Sequence, residues 1–286
     1  MNRLPVILLM LMTFTACSQV EAPVQSPPGY DFNHPVLYKM PDALQEISGI
    51  AFIPGKNDML YAIEDEDGIL YRWPAGNPAK LMGSRFGKEG DYEDIAISNI
   101  YSFVLRSDGT LFGFPNKDIG QKEIPSVRKW KDLLPAGEYE SLYADPEANE
   151  LYVLCKQCDA DQGTAGVSGY VLRVDTAGEP ALRSSFKIDT RQITGLKGKK
   201  RTALKASALT FNKKTGEWFV LSSVNKMLII ADKAWNVRQV VLLHLKEFPQ
   251  PEGISFDTDQ NLYISNEAGS TDAGTVLKFP LKNAGH

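Results

Sequence analysis

The feature of this chain that most limits its fold is a segment of about 45 residues that recurs five times. Each copy holds three short runs of aromatic and branched residues, separated by turns rich in Gly, Asn and Asp, and most copies add a fourth run. Steps of 45, 47, 67 and 45 residues separate the equivalent positions, which are Ser48, Glu93, Glu140, Ser207 and Glu252. Four-stranded antiparallel repeats of this length are typical of β-propeller blades.

The repeats predict an all-β fold, a single β-propeller of five blades, each a four-stranded antiparallel sheet. Six blades stay an alternative if one copy has diverged beyond recognition. The long third step contains residues 159–168 and 194–205, which we interpret as loop insertions. Because the last copy supplies only three strands, we expect residues 30–40 to add its outer strand and close the ring.

The charge of the chain argues against one class of partner. The net charge is −4 and the isoelectric point is near 5.5, whereas nucleic-acid binding requires a concentrated basic surface. One basic run, at residues 197–201, is short, and we interpret it as a solvated loop. We therefore expect no nucleic-acid partner, and we expect a monomer.

The N-terminus has the three parts of an export leader. Arg3 supplies a positive start, residues 6–12 are apolar throughout, and Phe14-Thr15-Ala16-Cys17 resembles the bacterial lipobox. In a lipobox the cysteine is lipidated and the leader is cut before it. The sequence therefore predicts a lipoprotein signal peptide over residues 1–16 and a lipidated Cys17. An ordinary signal peptide followed by an incidental cysteine is the alternative.

Residues 17–29 are polar and rich in proline, so we expect an extended tether that leads to a propeller domain over residues 30–286. No later segment is apolar enough to cross a bilayer, so the lipid would be the only membrane anchor. These features predict a location in the cell envelope. Ser18 after Cys17, in place of Asp, favours the outer membrane by the sorting rule of enteric bacteria.

The order of the repeat motifs resembles that of the SdiA-regulated family of bacterial propellers, over about residues 40–280. The resemblance rests on Ile47-Ser48-Gly49-Ile50-Ala51-Phe52, Tyr92-Glu93-Asp94-Ile95-Ala96, Tyr139-Glu140-Ser141-Leu142, Ser207-Ala208-Leu209-Thr210-Phe211 with Leu221-Ser222-Ser223, and Gln250-Pro251-Glu252-Gly253-Ile254-Ser255-Phe256. It implies an exported or membrane-attached propeller of five or six blades, distantly related to calcium-dependent lactonases and phytase-like esterases. Because no biochemical activity is established for the family, the resemblance implies a fold more firmly than a function.

Three glutamates open the first strand of a blade, and that strand lines the central channel of a propeller. We therefore expect Glu93, Glu140 and Glu252 to converge at one mouth of the channel. Like charges held together raise one another's pKa, and a bound Ca²⁺, which accepts six to eight oxygen ligands, would keep all three ionised. The alternative is a structural role, in which each glutamate accepts hydrogen bonds from the backbone of a neighbouring blade.

A second ring of residues follows the second strand of each blade. Its candidate ligand-binding members are Asp65, Arg106, Lys156 and Glu267. Arg106 and Lys156 could neutralise the channel glutamates without any metal, or they could recognise an anionic substrate. These two readings stay open at this point.

Cys155 and Cys158 form a C-x-x-C pair in an exported chain. They could form a local disulfide or stay as thiols. A redox motif normally opens a helix, whereas the surroundings here predict strands. A zinc site would need a second ligand pair, and the sequence has none.

No set of nucleophile and base emerges from the sequence, and no catalytic residue is identified. The leading hypothesis is a lipid-anchored propeller that binds a small molecule or an envelope protein at its channel mouth, with or without Ca²⁺. The alternative is a Ca²⁺-dependent esterase, lactonase or phosphatase that acts at the channel glutamates. A third hypothesis is a structural envelope protein without a ligand.

Overall fold

The computed structural model describes residues 25–197 and 204–282, and in them the chain forms twenty strands and one α-helix. The strands make five four-stranded sheets, and every pairing between neighbouring strands is antiparallel. The inner strand of each sheet contacts the inner strands of the two adjacent sheets, so the sheets form a ring. This arrangement confirms the all-β propeller and the count of five blades.

The strands follow one another along the chain from the inside of each blade to the outside. The first strand is β1 (Val36–Lys39). Blade 1 consists of β2 (Ile47–Ala51), β3 (Met59–Glu64), β4 (Ile69–Pro74) and β5 (Met82–Arg85). Blade 2 consists of β6 (Tyr92–Ile97), β7 (Tyr101–Arg106), β8 (Leu111–Pro115) and β9 (Arg128–Trp130). Blade 3 consists of β10 (Gly137–Asp145), β11 (Glu150–Cys158), β12 (Gly166–Val174) and β13 (Pro180–Asp189).

The helix α1 (Thr190–Lys197) separates blade 3 from blade 4. Blade 4 consists of β14 (Ala208–Asn212), β15 (Glu217–Ser222), β16 (Met227–Ala231) and β17 (Val237–Leu242). Blade 5 consists of β18 (Pro251–Phe256), β19 (Leu262–Asn266) and β20 (Thr275–Phe279), with β1 as its outermost strand. Short 3₁₀ turns occur at Asp42–Leu44, Pro78–Lys80, Asn116–Asp118 and Asp159–Asp161.

Closure of the ring joins the two ends of the described chain. β1 runs antiparallel to β20, with Val36 opposite Lys278 and Lys39 opposite Thr275. The closing strand therefore lies within residues 30–40, as the sequence predicts. Just before it, Tyr30 and Phe32 are buried in the apolar cluster between blades 4 and 5. Pairing of β1 also covers the edge of β20, which would otherwise be free to pair with another chain.

The core of the molecule lies between blades. Five apolar clusters are present in the described residues, and each one joins side chains of two adjacent blades. Because the inner and middle strands are covered on both faces, several of them are buried along most of their length, as β16 is. Burial of one large apolar side chain contributes roughly 1.5–3 kcal/mol, so the blade interfaces supply most of the driving force for folding.

The inner strands approach one another closely near the channel. A Cβ atom on Gly253 would lie 2.5 Å from the carbonyl oxygen of Ser48 in blade 1, so no larger residue fits there without displacing backbone. Between blades 2 and 3 the equivalent gap holds the side chain of Asp94. Its Oδ2 accepts the N–H of Leu142 at 2.7 Å and its Oδ1 accepts the N–H of Ile95 at 2.8 Å. This buried carboxylate links two blades.

The long repeat step between Glu140 and Ser207 does not consist of two simple loop insertions. Residues 159–165 do form a turn, but β12 begins at Gly166, within the first expected insertion. In the second, residues 194–197 belong to α1, and residues 198–203 lie outside the described part. The helix forms because Ile193 is buried in the cluster between blades 3 and 4, an apolar contact that the short polar segment did not reveal.

The leader, Cys17 and residues 18–24 of the tether lie outside the described residues, as does most of the basic run at residues 197–201. Within the part of the chain that is described, the one helix is too short to cross a bilayer.

Candidate ligand-binding site at the channel mouth

A β-bulge holds each of the three channel glutamates at the start of an inner strand. In blade 2 the register shifts between Tyr92 and Asp94, which leaves Glu93 as the extra residue. Similar shifts occur around Glu140 in blade 3 and Glu252 in blade 5. A bulge takes one residue out of the regular alternation and redirects its side chain. The bulges therefore free these carboxylates from the packing between blades.

The carboxylates act on one another electrostatically across the channel. Glu93 and Glu252 belong to blades 2 and 5, which are not adjacent, yet each is among the charges that act on other members of the site. Asp65 of blade 1 and Glu267 of blade 5 belong to the same electrostatic group. All five blades contribute, because blade 3 provides Lys156 and blade 4 provides Lys226.

Lys156 is the cation of the site with the most carboxylate partners. Its ammonium group bonds to the carboxylate of Glu140, which is only 7% exposed, and lies 3.1 Å from Oε1 of Glu138. It also lowers the pKa of Glu93 and of Glu252 against the effect of burial. Direct neutralisation of a channel glutamate by Lys156, one of the two readings left open by the sequence, is therefore present in the structure.

Two further carboxylates are held from blade 5. Glu252 accepts hydrogen bonds from the hydroxyl groups of Ser223 and Ser207, but burial still raises its pKa. Glu267 accepts a hydrogen bond from the side-chain amide of Gln250. Burial raises the pKa of Glu267 to about 8, and the negative charges of Glu252 and Asp65 add to this effect.

The pKa of Glu93 is raised in the same way as that of Glu267. Burial raises its pKa to about 8, with repulsion from Asp91, Glu252 and Asp65 in the same direction and attraction to Lys156 opposing it. At neutral pH, Glu93 and Glu267 are therefore mostly protonated in the free protein. A positive charge brought among these groups would favour their ionised forms, so binding of a cation and release of protons are coupled.

Asp65 completes the acidic side of the mouth. Burial raises its pKa to about 6, helped by Glu46 and by Glu66. Its neighbour Glu64 has a different task, since its carboxylate accepts the N–H groups of Glu66 and Asp67 and closes the turn after β3. We name the set of Asp65, Glu93, Glu140, Glu252 and Glu267 the acidic mouth.

Arg106 lies apart from the acidic mouth. Its guanidinium group pairs with Asp108, with Nε 3.0 Å from Oδ1, and this pairing raises its pKa. Its hydrogen-bond partners also include Thr110, at a distance of 3.4 Å. Of the two basic residues that the sequence suggested, the structure brings Lys156 to the glutamates and uses Arg106 in the turn after β7.

A disulfide bond joins Cys155 and Cys158 at the end of β11, and both cysteines are buried. The bond closes a loop that contains Lys156. Both cysteines belong to β11, with Cys158 opposite Gly137 and Cys155 opposite Tyr139 at the start of β10. The disulfide therefore limits the positions that the Lys156 backbone can adopt above the channel.

The carboxylates of the acidic mouth do not match the ligand set that Ca²⁺ requires. Among residues 25–197 and 204–282, no three His, Cys, Asp or Glu side chains are close enough together to hold one metal ion. One expected ligand, Glu140, is bonded to an ammonium group, which would repel a divalent cation. As arranged, these side chains do not form a calcium cage. Calcium at Glu93, Glu140 and Glu252 stays a prediction, as does the hydrolase built on it.

Comparison with known families supports the resemblance. Residues 172–269, about a third of the chain, match the family model described as SdiA-regulated. This segment runs from β12 of blade 3 to the turn after β19 and thus includes Ser207, Glu252 and Glu267. Over this segment the β-propeller is similar to the SdiA-regulated family. A search of curated proteins gave no match.

Two solved structures resemble this propeller. The crystal structure of glutaminyl cyclase from Myxococcus xanthus has a TM-score of 0.60 and 12% identity, and the match covers 87% of this chain and 96% of that one. Luciferin-regenerating enzyme has a TM-score of 0.55 and 12% identity, with 88% and 96% covered. At this identity the likeness shows the fold alone.

Several features of the acidic mouth could not be predicted from the sequence. The bulges had one signal, since a small residue, Asp94, Ser141 or Gly253, follows each channel glutamate. Lys226 had none. It lies in the β15–β16 turn with a positive φ of 48°, and its ammonium group donates to the carbonyl oxygen of Pro249 at 2.6 Å.

Proposed function

We propose that this protein is a lipid-anchored binding protein of the bacterial cell envelope, whose acidic mouth captures the guanidinium or ammonium group of a ligand. The observation that carries the proposal is the convergence of five carboxylates from four blades against two lysines. Because the carboxylates spread around the channel and do not close on one point, they suit an organic cation better than a bare metal ion.

Protonation supports the same assignment. Free Glu93 and Glu267 hold protons at neutral pH, so the empty mouth avoids part of its own repulsion. An incoming cation replaces those protons and meets carboxylates that are partly withdrawn from water, where a charge pair is stronger than at the surface. The hydroxyl groups of Ser207 and Ser223 hold Glu252 in place for this contact.

The proposed anchor agrees with the position of the mouth. The hydroxyl group of Tyr30 donates to the carbonyl oxygen of Gln260 at 2.9 Å, in the turn between β18 and β19. That turn follows the end of an inner strand, whereas the acidic mouth lies at the starts of the inner strands. The chain therefore enters the propeller on the face opposite the acidic mouth, which a tether from Cys17 would leave pointing away from the membrane.

The binding proposal is tested by calorimetric titration at pH 8 with a triarginine peptide whose ends are blocked, and in parallel with Ca²⁺. We expect saturable binding of the peptide, weakened about tenfold, or about 1.4 kcal/mol, by each of Glu93→Gln, Glu252→Gln and Glu267→Gln. Glu123→Gln, an exposed residue away from the mouth, is the matched control and should leave binding unchanged.

No saturable binding of the peptide, or equal binding by all three mouth variants, would overturn the proposal. Tight Ca²⁺ binding that the same variants abolish would favour the calcium prediction in its place. A panel of esters and phosphoesters with Ca²⁺ then tests the hydrolase alternative.

The anchor is tested separately by fractionation of cells. We expect the wild-type protein with the membranes and the Cys17→Ser protein in the soluble envelope fraction. Continued membrane association of Cys17→Ser would contradict lipid anchoring at this residue.

A further inference from the structure

The channel has a second mouth, formed by the ends of the inner strands. A cavity of about 250 Å³ lies there, and all five blades contribute to its wall. Its apolar lining includes Ile50, Phe52, Ile97, Leu142, Leu209 and Ile254. Three of the five inner strands, β6, β10 and β18, carry glutamates of the acidic mouth towards their other ends. We name this cavity the apolar mouth.

The size of the apolar mouth defines what it can hold. A cavity of about 150 Å³ lined by aliphatic side chains is large enough to bind benzene. The apolar mouth is larger, so an aromatic ring with a substituent or a short aliphatic tail would fit. Transfer of such a group from water is favourable by about 0.8 kcal/mol for each methylene.

Charges on the lining define the other end of the ligand. Two lysines, Lys56 and Lys213, belong to it, together with one carboxylate. That carboxylate, Asp257, is buried and already bonded to Asn261 and Tyr263. Lys213 lies 2.9 Å from Glu147, whereas Lys56 is exposed and has no ion-pair partner among the described residues. Lys56 is therefore available to pair with an anion.

We infer that the apolar mouth is a second binding site, for a small amphiphile whose apolar tail fills the cavity and whose carboxylate or other anionic head lies at Lys56. The site is independent of the function proposed for the acidic mouth, because the two lie at opposite ends of the inner strands. The two ends also select opposite charges, so one ligand class cannot serve both.

The test uses sodium octanoate and, as a probe with the same tail and a positive head, octyltrimethylammonium, both by calorimetric titration below their micelle concentrations. We expect octanoate to bind at least tenfold more tightly than the cation. From butanoate to hexanoate the affinity should rise about fourfold for each methylene. It should level off once the tail is longer than the cavity.

Two variants locate the site. Ala144→Leu adds volume to the wall of the cavity and should weaken octanoate at least tenfold. Lys56→Glu should weaken octanoate at least fivefold and strengthen the cationic probe, whereas Lys214→Glu, next to Lys213 but absent from the lining, should change neither. If Ala144→Leu does not fold, as judged by circular dichroism, Ala144→Val replaces it. The inference would be overturned if the wild-type protein shows no saturable octanoate binding. It would also be overturned if the folded Ala144 variant binds octanoate as tightly as wild type.

The anionic amphiphile could come from solution or from the bilayer. Sedimentation of the Cys17→Ser protein with phosphatidylglycerol vesicles distinguishes these sources. Retention on the vesicles that Lys56→Glu removes identifies a bilayer lipid, and octanoate binding without retention identifies a free amphiphile. Retention unaffected by Lys56→Glu, together with no octanoate binding, contradicts the site.

Discussion

The two mouths of the channel lie at opposite ends of the inner strands, and they differ in almost every physical property. At the acidic mouth, partly buried carboxylates repel one another, and Glu93 and Glu267 hold protons at neutral pH. At the strand ends, aliphatic side chains surround a cavity whose unpaired charge is positive. Between the two ends, the inner strands are mostly buried, because each one packs against the strands of two neighbouring blades.

This difference shows how a propeller separates stability from binding. The apolar clusters between blades hold the ring together, and the channel ends are free to carry groups that lower stability. Buried carboxylates with raised pKa values reduce the free energy of unfolding wherever they must ionise. We therefore expect changes at the acidic mouth to have larger effects on stability than changes of similar size at the apolar mouth.

The largest expected effect is a fall in stability with rising pH. Glu93 and Glu267 have pKa values of about 8 in the folded protein against 4.5 otherwise, so the folded state binds more protons between these values. The stability that they contribute is present below pH 4.5 and is lost as the pH rises through 8. We expect each of the two groups to lower stability by about 4 kcal/mol between pH 5 and pH 9, measured by urea unfolding.

The variant that reduces this trend is Glu93→Gln combined with Glu267→Gln, which should be more stable than wild type at pH 9. Part of the slope should stay, because burial also raises the pKa of Glu64 to about 7 and that of Asp65 to about 6. Carboxyl groups with lowered pKa values, such as Asp232 at about 2, change stability only below pH 5 and do not interfere. The same slope in wild type and double variant would contradict the raised pKa values.

The next effect concerns the cation at the acidic mouth. Lys156→Met leaves Glu140 buried without its partner, and we expect unfolding to cost about 3 kcal/mol less at pH 7. Adding Glu140→Gln should recover most of the loss, since no unpaired charge then remains. A loss under about 1 kcal/mol in Lys156→Met, measured by urea unfolding, would show that the pair is not coupled.

Removal of the disulfide should have a smaller effect. Because Cys155 and Cys158 close a short loop, replacement of both by Ala is expected to lower stability by about 2 kcal/mol. The same replacement should also remove a restraint on the backbone position of Lys156. Thermal unfolding with and without reductant provides the check, since reductant should lower the transition temperature of wild type and leave the double variant unchanged. Equal sensitivity of both proteins would be the contrary result.

The smallest effect is expected at the apolar mouth. Ala144→Val adds apolar volume beside a cavity and should raise stability by about 0.5–1 kcal/mol at any pH between 5 and 9. A decrease of more than about 1 kcal/mol in urea unfolding would mean that the side chain clashes with a closed wall. That result would end the contrast between the two mouths.

The sequence predicts the fold because repeat length, strand alternation and turn residues are all local. They were enough for the five blades and for the closing strand at residues 30–40. The helix α1 was missed since one buried side chain, Ile193, stabilises it through a contact with distant strands. Local sequence patterns do not indicate contacts between residues that are far apart in the chain.

The site was only partly predictable for the same reason. The position of each channel glutamate follows from the repeat, but a bulge depends on how two strands pair, and only Gly253 or a similar small neighbour hinted at it. The choice of Lys156 and not Arg106 as the partner of Glu140 depends on which long side chain reaches the channel. The apolar mouth was overlooked because its lining residues look like ordinary core.

The most direct test of the acidic mouth as a cation site is to count the protons released on binding. The blocked triarginine peptide keeps its charge at all relevant pH values, so calorimetry in buffers of different ionisation enthalpy reports only protons from the protein. At pH 7 the account predicts release of at least about one proton per peptide, falling towards zero at pH 9.5 and reduced in Glu93→Gln and Glu267→Gln. Binding at pH 7 without proton release would contradict it.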